Sequence, residues 1–230
     1  VPKNKHDLKA GGKLQALQVA SKRHAGPIVF NPDDPDGDIL SLDVKDLHSY
    51  GVTFDAKWIV IHDTDVDGFV PFDANATAKI KQATPFKRPE NGVFRPGTGF
   101  REFYFTETGD TNKDTEAGTD FGGFGGIFRL AQKNGSSDSW RLSIFYKGGV
   151  AHTGFDNIAF WSKNKLVVVE DAGDTLHTQR NALDSAYLFD VNTDYTNPAI
   201  QPLRILAQGR DASATFDSPL TDGRPANGFQ

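Results

Sequence analysis

The chain contains no cysteine and no methionine among its 230 residues. Without cysteine it cannot form disulfide bonds, thiolate metal sites or a cysteine nucleophile, so its chemistry must use oxygen and nitrogen ligands. The lack of methionine, with valine at position 1, indicates that the sequence does not begin at a translational start. We therefore expect an interior fragment of a longer protein.

Long apolar runs and long basic runs are also missing. The longest apolar stretch resembles residues 165–170, whereas a membrane-spanning helix needs about 20 apolar residues, so no membrane span is predicted. The formal net charge is −5, with 30 acidic and 25 basic residues, and no Lys/Arg run forms a cationic stripe. A nucleic-acid partner is therefore disfavoured.

The secondary structure predicted from the sequence is all-β. The 23 glycines and 12 prolines, and the scarcity of helical apolar spacing, favour short strands joined by polar loops. The predicted strands are residues 13–19, 57–62, 101–106, 126–131, 141–146, 157–160, 165–169, 185–191 and 203–207. Residues 74–82 are predicted as a loop with at most one helical turn, closed by Pro85 and Pro89.

An internal repeat suggests how the strands are arranged. Residues 90–94 (Glu-Asn-Gly-Val-Phe) match residues 156–160 (Asp-Asn-Ile-Ala-Phe) at an offset of 66, and each match opens a unit of four strands. Repeated four-stranded units predict a β-propeller, with blade-like repeats at about residues 11–89, 90–155 and 156–210 and a tail at 211–230.

The predicted single domain covers about three to four blades, fewer than a ring needs, so other chains or segments would have to complete it. A β-sandwich with coincidental similarity is the alternative.

The repeat also points to metal binding. In a propeller the first strand of each blade lines the central channel, so Glu90 and Asp156 would converge there and repel each other unless a cation lies between them. The ends of the second strands add Glu107, Glu170 and Asp171. The alternative is that each acid caps a turn or faces solvent.

A second candidate feature is the Arg88-Pro89-Glu90 motif. If Glu90 binds a metal, the Arg88 guanidinium can reach an anion bound to that metal, and its geometry suits phosphate oxygens. The alternative is a structural arginine that braces a neighbouring blade. Arg180 is a weaker candidate of the same kind.

Asp63, Asp65 and Asp67 reproduce the opening of a calcium-binding loop, D-x-D-x-D-G. The twelfth position is Ala74 and not the bidentate glutamate of an EF-hand. Loops rich in Asp are also common as Asx turns, so both interpretations stay open.

Taken in order, several segments resemble the PhoX-like bacterial alkaline phosphatases. They are residues 83–90 (ATPFKRPE), 101–108 (REFYFTET), 125–130 (GGIFRL), 155–160 (FDNIAF) and 166–171 (LVVVED). The resemblance implies a six-bladed propeller, exported by the twin-arginine route to the periplasm or beyond. It also implies phosphomonoester substrates and a channel that holds Ca²⁺ and Fe³⁺.

The same resemblance implies roles for single residues. It makes Arg88, and less firmly Arg180, phosphate-contacting groups, makes Glu90 a metal-bridging ligand, and places Glu170 and Asp171 at a calcium-ligand position. The repeat adds Asp156 and its neighbour Asn157 to the predicted metal ligands. The family's iron site uses a cysteine, which this chain lacks. We expect the isolated chain to be inactive, because an open half-ring supplies too few ligands to hold the cations. The competing functions are a non-catalytic calcium-stabilised binding module and a phytase-like or lactonase-like propeller enzyme.

Overall fold

The computed structural model describes residues 1–34, 37–38, 40–109, 118–132, 138–173 and 183–207. The described residues form ten strands, all paired antiparallel. They are β1 (Lys13–Val19), β2 (Phe54–Asp63), β3 (Pro89–Phe94), β4 (Glu102–Glu107), β5 (Gly126–Gln132), β6 (Trp140–Lys147), β7 (Phe155–Ser162), β8 (Lys165–Glu170), β9 (Ser185–Asp190) and β10 (Leu203–Ala207). The all-β prediction is confirmed.

In the described part of the chain two short α-helices interrupt this pattern, α1 (Leu42–Leu47) and α2 (Ala74–Ile80), with 3₁₀ turns at Leu8–Ala10 and Thr119–Phe121. The prediction of a loop over residues 74–82 is wrong. The Asp73 side chain accepts a hydrogen bond from the Ala76 amide at 2.9 Å and so caps the start of α2. This cap stabilises a helix in a segment of only modest helix propensity.

The strands form two sheets. A six-stranded sheet has the order β1-β2-β6-β5-β4-β3, and a four-stranded sheet has the order β10-β9-β8-β7. In both, four consecutive strands form an antiparallel meander, β3 to β6 in one and β7 to β10 in the other. Strands β1 and β2 extend the first meander beyond β6, where Phe54 of β2 pairs with Leu142 of β6.

Because successive side chains of a strand point to opposite faces of the sheet, the apolar residues form two large, separate core clusters. One cluster, which includes Phe54, Phe105 and Phe128, lies on the face of the six-stranded sheet that α1 covers through Leu47. Tyr104 and Ile127 point to the opposite face. There they pack against the four-stranded sheet, whose contribution to this second cluster comprises Phe155, Leu166, Val168, Tyr187 and Phe189.

The first strands of the two meanders, β3 and β7, also contact each other, and β4 contacts β7 as well. This contact brings together the two repeat segments that begin at Glu90 and Asp156. No helix in the described part of the chain is long and apolar enough to cross a membrane.

Candidate active site

A cluster of polar side chains lies where β3 meets β7. The Asn91 side-chain amide donates to Asp156 Oδ1 at 3.1 Å and to Asn157 Oδ1 at 3.2 Å. Asp156 is half-buried, whereas Asn157 is exposed. The matched acids of the repeat, Glu90 and Asp156, therefore lie on strands that contact each other, and Asn91, the neighbour of Glu90, bonds to Asp156 and Asn157 across this contact.

Two threonines of the β4 region hold the strands in this position. The Thr106 hydroxyl lies within hydrogen-bond distance of the carbonyl oxygens of Asn91 and Asp156. The Thr108 hydroxyl lies 3.4 Å from Glu90 Oε1 and 3.2 Å from the Phe155 carbonyl oxygen. Both threonines are buried. They fix the backbone on either side of the cluster and orient the Glu90 carboxylate.

Arg88 lies at the start of this cluster in an unusual backbone conformation. Its φ is 56°, in the left-handed region that residues with a Cβ seldom adopt. Its guanidinium is 50% exposed and lies 4.0 Å from Glu90 Oε1. A pair this long and this exposed contributes little to stability. The guanidinium therefore lies beside Glu90 and stays accessible to an anion from solvent.

The turn at Arg88 is held by the backbone that follows β4. The Thr108 amide donates to the Arg88 carbonyl oxygen at 3.0 Å, and the Gly109 amide donates to the Lys87 carbonyl oxygen at 3.0 Å. The Glu107 carboxylate accepts a hydrogen bond from the Lys87 amide. These contacts compensate for the strain of the left-handed conformation.

Glu107, which the sequence added to the predicted metal ligands, points into the protein interior. It is buried, and its second oxygen lies 2.6 Å from Nε2 of the buried His48. Both carboxylate oxygens thus have protein partners. His48 carried no signal in the sequence, because it lies 59 residues before Glu107 in an unrelated segment.

Glu170 occupies the position on β8 that Glu107 occupies on β4. It is buried and accepts a hydrogen bond from the Thr153 amide at 2.9 Å. Asp171 follows at the surface, and its amide donates to the Gly154 carbonyl oxygen at 2.7 Å. Glu170 pairs in register with Phe155, the neighbour of Asp156. Their metal-binding roles stay predictions, and Arg180 lies outside the described residues.

The acidic loop after β2 is built as a turn. The Asp65 amide donates to Asp63 Oδ1 at 3.1 Å, and Asp67 Oδ2 accepts from the Asp63 amide at 2.7 Å. Lys13 lies 3.3 Å from Asp63, and Lys3 pairs with Asp65. The hydrogen bond from the Asp65 amide, supported by Lys13, lowers the pKa of Asp63. The geometry is that of the Asx turn, and calcium binding by this loop stays a prediction.

The side-chain oxygens at the β3–β7 contact are suitable ligands for a hard cation. Glu90 and Asp156 offer carboxylate oxygens and Asn157 offers an amide oxygen, the ligands that Ca²⁺ prefers. Among the residues that the structure describes, no group of three or more His, Cys, Asp or Glu side chains is arranged to hold a metal. A calcium ion here would therefore draw on amide or backbone oxygens as well as on the two acids.

The first strands of the two meanders carry acidic and amide oxygens, and an accessible arginine lies directly before one of them. This arrangement is able to bind a phosphate together with a cation. The family model of alkaline phosphatase PhoX matches residues 2–202. The chain belongs to the PhoX alkaline phosphatase family. Membership supports a phosphatase-type function and confirms the resemblance noted in the sequence. No curated protein and no solved structure matches the chain.

Proposed function

We propose that this protein hydrolyses phosphomonoesters in a calcium-dependent reaction at the cluster of Arg88, Glu90, Asp156 and Asn157. The observation that carries the proposal is the contact between β3 and β7, which places Asp156 and Asn157 beside the strand that begins at Pro89. Family membership supplies the class of reaction.

Arg88 is assigned to the substrate. Its guanidinium presents several N–H donors in a plane, and these match the oxygens of a phosphate better than a lysine would. The left-handed turn at Arg88, followed by the rigid ring of Pro89, sets the direction in which the Arg88 side chain leaves the backbone. A preorganised donor of this kind stabilises charge that develops on phosphate oxygens in the transition state.

Glu90, Asp156 and Asn157 are assigned to calcium. A bound calcium ion would supply positive charge that polarises the phosphate. The chain's own residues orient the ligands, Asn91 by donating to Asp156 and Asn157, and Thr108 by approaching Glu90. The cysteine that the family resemblance implies for iron is not among these 230 residues, so the proposal concerns calcium and leaves iron aside.

We further propose that the two meanders are blades of a propeller and that the protein is exported. The contact between first strands supports the propeller, since first strands of adjacent blades meet at the channel. The four-stranded sheet also exposes apolar side chains, including Trp161 at 78%, Leu203 and Leu206. Such a sheet is expected to be covered by a neighbouring blade.

The test is hydrolysis of p-nitrophenyl phosphate by the full-length protein with calcium or with a chelator. Arg88→Ala should reduce turnover by about two to three orders of magnitude with calcium content unchanged, because one lost charge donor costs about 2.7 to 4 kcal/mol. Glu90→Ala should lose calcium and activity together. Arg101→Ala, an exposed arginine at the far end of the β3–β4 hairpin, is the matched control.

Near-wild-type turnover in folded, calcium-loaded Arg88→Ala protein would reject the role of Arg88. Calcium binding without hydrolysis of any phosphomonoester would favour the non-catalytic module instead. Turnover that is equal in chelator and in calcium would reject calcium dependence.

A further inference from the structure

His48 and Glu107 form a buried pair beneath the Arg88 turn. Each is 1% exposed, and His48 Nε2 lies 2.6 Å from Glu107 Oε2. His48 Nδ1 lies 2.8 Å from the Val44 carbonyl oxygen. Because a carbonyl can only accept, Nδ1 carries a proton, and a further proton lies between Nε2 and Oε2. Both ring nitrogens are therefore engaged, and the imidazole has one orientation.

The surroundings of His48 leave it no other orientation. His48 caps the C-terminal end of α1, and its backbone amide donates to the Val44 carbonyl oxygen. Its ring packs edge-on against Phe128, and a Cβ on Gly122 would lie only 2.2 Å from Nε2. The ring is thus held by the helix on one side and by the sheet on the other.

Glu107 connects His48 to the backbone next to Arg88. Its Oε1 accepts from the amide of Lys87, the residue before Arg88. The Thr108 amide donates to the Arg88 carbonyl oxygen, and the Gly109 amide donates to the Lys87 carbonyl oxygen. Together with Glu107, three consecutive residues at the end of β4 therefore hold the turn in place. The Thr108 and Gly109 contacts are made by the backbone, so among these three contacts a substitution can remove only that of the Glu107 side chain.

We propose that His48 and Glu107 are positioning residues for Arg88. Helix α1 orients His48, His48 orients Glu107, and Glu107 fixes the Lys87 amide and hence the direction in which Arg88 leaves the backbone. Neither residue touches the substrate. The proposal rests on the phosphatase function proposed above, and it extends the substrate-binding machinery to a helix that lies outside both meanders.

The kinetic test uses three substitutions at Glu107 in the full-length protein. Glu107→Leu should lower kcat/KM for p-nitrophenyl phosphate about 10- to 100-fold, because the turn loses its anchor. Glu107→Asp, which keeps the charge but shortens the side chain, should also lower it and serves if Glu107→Leu does not fold. Glu107→Gln should stay near the wild type, since its amide can accept from Lys87 and donate to Nε2 of a neutral His48.

Two further measurements separate positioning from general stability. Glu102→Leu removes a buried carboxylate from the other end of the same strand and should leave kcat/KM unchanged in folded protein. In an Arg88→Ala background, Glu107→Leu should change kcat/KM by no more than about twofold, because Glu107 acts through Arg88. Equal losses in Glu102→Leu and Glu107→Leu, or additive losses in the double variant, would overturn the proposal.

Hydrogen exchange at the Lys87 amide tests the anchor without using activity. Exchange should accelerate in Glu107→Leu and Glu107→Asp, and it should be unchanged in Glu107→Gln and Glu102→Leu. If the wild-type protein hydrolyses no phosphomonoester, the phosphatase proposal fails, and exchange alone then decides whether the pair anchors the turn. Unchanged exchange at Lys87 in Glu107→Leu would overturn the anchoring role.

Discussion

At the scale of single residues, Glu102 shows how hydrogen bonds and positive charges stabilise a buried carboxylate in this protein. Glu102 is 8% exposed at the start of β4. Arg129 Nε donates to it at 2.7 Å, Tyr104 donates at 2.8 Å and Arg95 at 3.1 Å. Arg95 also reaches Asn164 Oδ1 at 2.7 Å, in the turn between β7 and β8. The network therefore joins the two sheets through one carboxylate.

This network predicts a pH-dependent contribution to stability. Burial raises the pKa of Glu102, but the hydrogen bonds from Arg129 and Tyr104 and the neighbouring positive charges outweigh it and lower the pKa. Ionised Glu102 therefore stabilises the fold above about pH 4.3, its pKa in an unfolded chain, and this contribution is lost as pH falls through the lower folded value.

Glu102→Gln should lower the free energy of unfolding by roughly 1.5 to 3 kcal/mol at pH 7, and the difference from wild type should shrink below pH 4. Urea unfolding at several pH values measures it. An equal difference at pH 3 and pH 7 would contradict the assignment.

The sequence predicted residues of the site better than it predicted their partners. Glu90 and Asp156 share a position in a repeat, and Asn157 follows Asp156, so the pattern alone could place these residues on neighbouring strands. The pairing of His48 with Glu107 depends on how α1 packs against the sheet, which no repeat encodes. The left-handed turn at Arg88 was equally hidden, because an arginine carries no sequence preference for positive φ.

At the scale of elements, the start of β7 depends on a glycine. Gly154 has a φ of 62°, and a Cβ there would lie 2.5 Å from the Ala172 Cα. Its carbonyl oxygen accepts from the Asp171 amide at 2.7 Å. This close approach sets where β7 begins, and Asp156 is the second residue of that strand.

Gly154→Ala should therefore destabilise the protein by roughly 2 kcal/mol or more, through strain at positive φ and overlap with backbone atoms. Gly149→Ala is the control, because a Cβ at Gly149 meets nothing within 4 Å. Chemical denaturation of both variants measures the effect. Equal stability of the two variants would show that the backbone at Gly154 relaxes freely.

Strand patterns were more informative than helix patterns in this chain. Alternating apolar residues located most of the strands, whereas β3 was recognised only as a repeat segment, because Pro89 and Gly92 weaken its strand propensity. Helix α1 was missed because six residues are too few to show a helical period. Its start relies on Ser41, whose side chain accepts from the Val44 amide at 3.2 Å.

At the scale of the whole molecule, the two sheets are joined by one apolar cluster and by the polar contact of β3 with β7. The apolar cluster holds the sheets face to face, whereas the polar contact gathers acidic groups at one edge. Acids gathered in this way repel each other, and a bound cation would remove the repulsion. The stability of the whole protein should therefore depend on calcium.

Calcium should raise the melting temperature of the full-length protein, because a ligand that binds only the folded state stabilises it by about 2.7 kcal/mol at a hundredfold excess over Kd. For a protein of about 150 to 250 residues this free energy corresponds to a Tm rise of roughly 5 to 10 °C, and the rise is smaller for a longer chain. A chelator should reverse the rise, and equal concentrations of magnesium should not reproduce it. Scanning calorimetry measures the shift.

Two variants locate the calcium ion. In Glu90→Gln/Asp156→Asn the calcium-induced shift should disappear, because the β3–β7 cluster loses both carboxylates. In Asp65→Asn the shift should persist, since Asp65 already pairs with Lys3 in the turn after β2. A shift lost in Asp65→Asn and kept in the double variant would move the calcium site to the acidic loop. Coincident melting curves in calcium and in chelator would contradict calcium binding at both places.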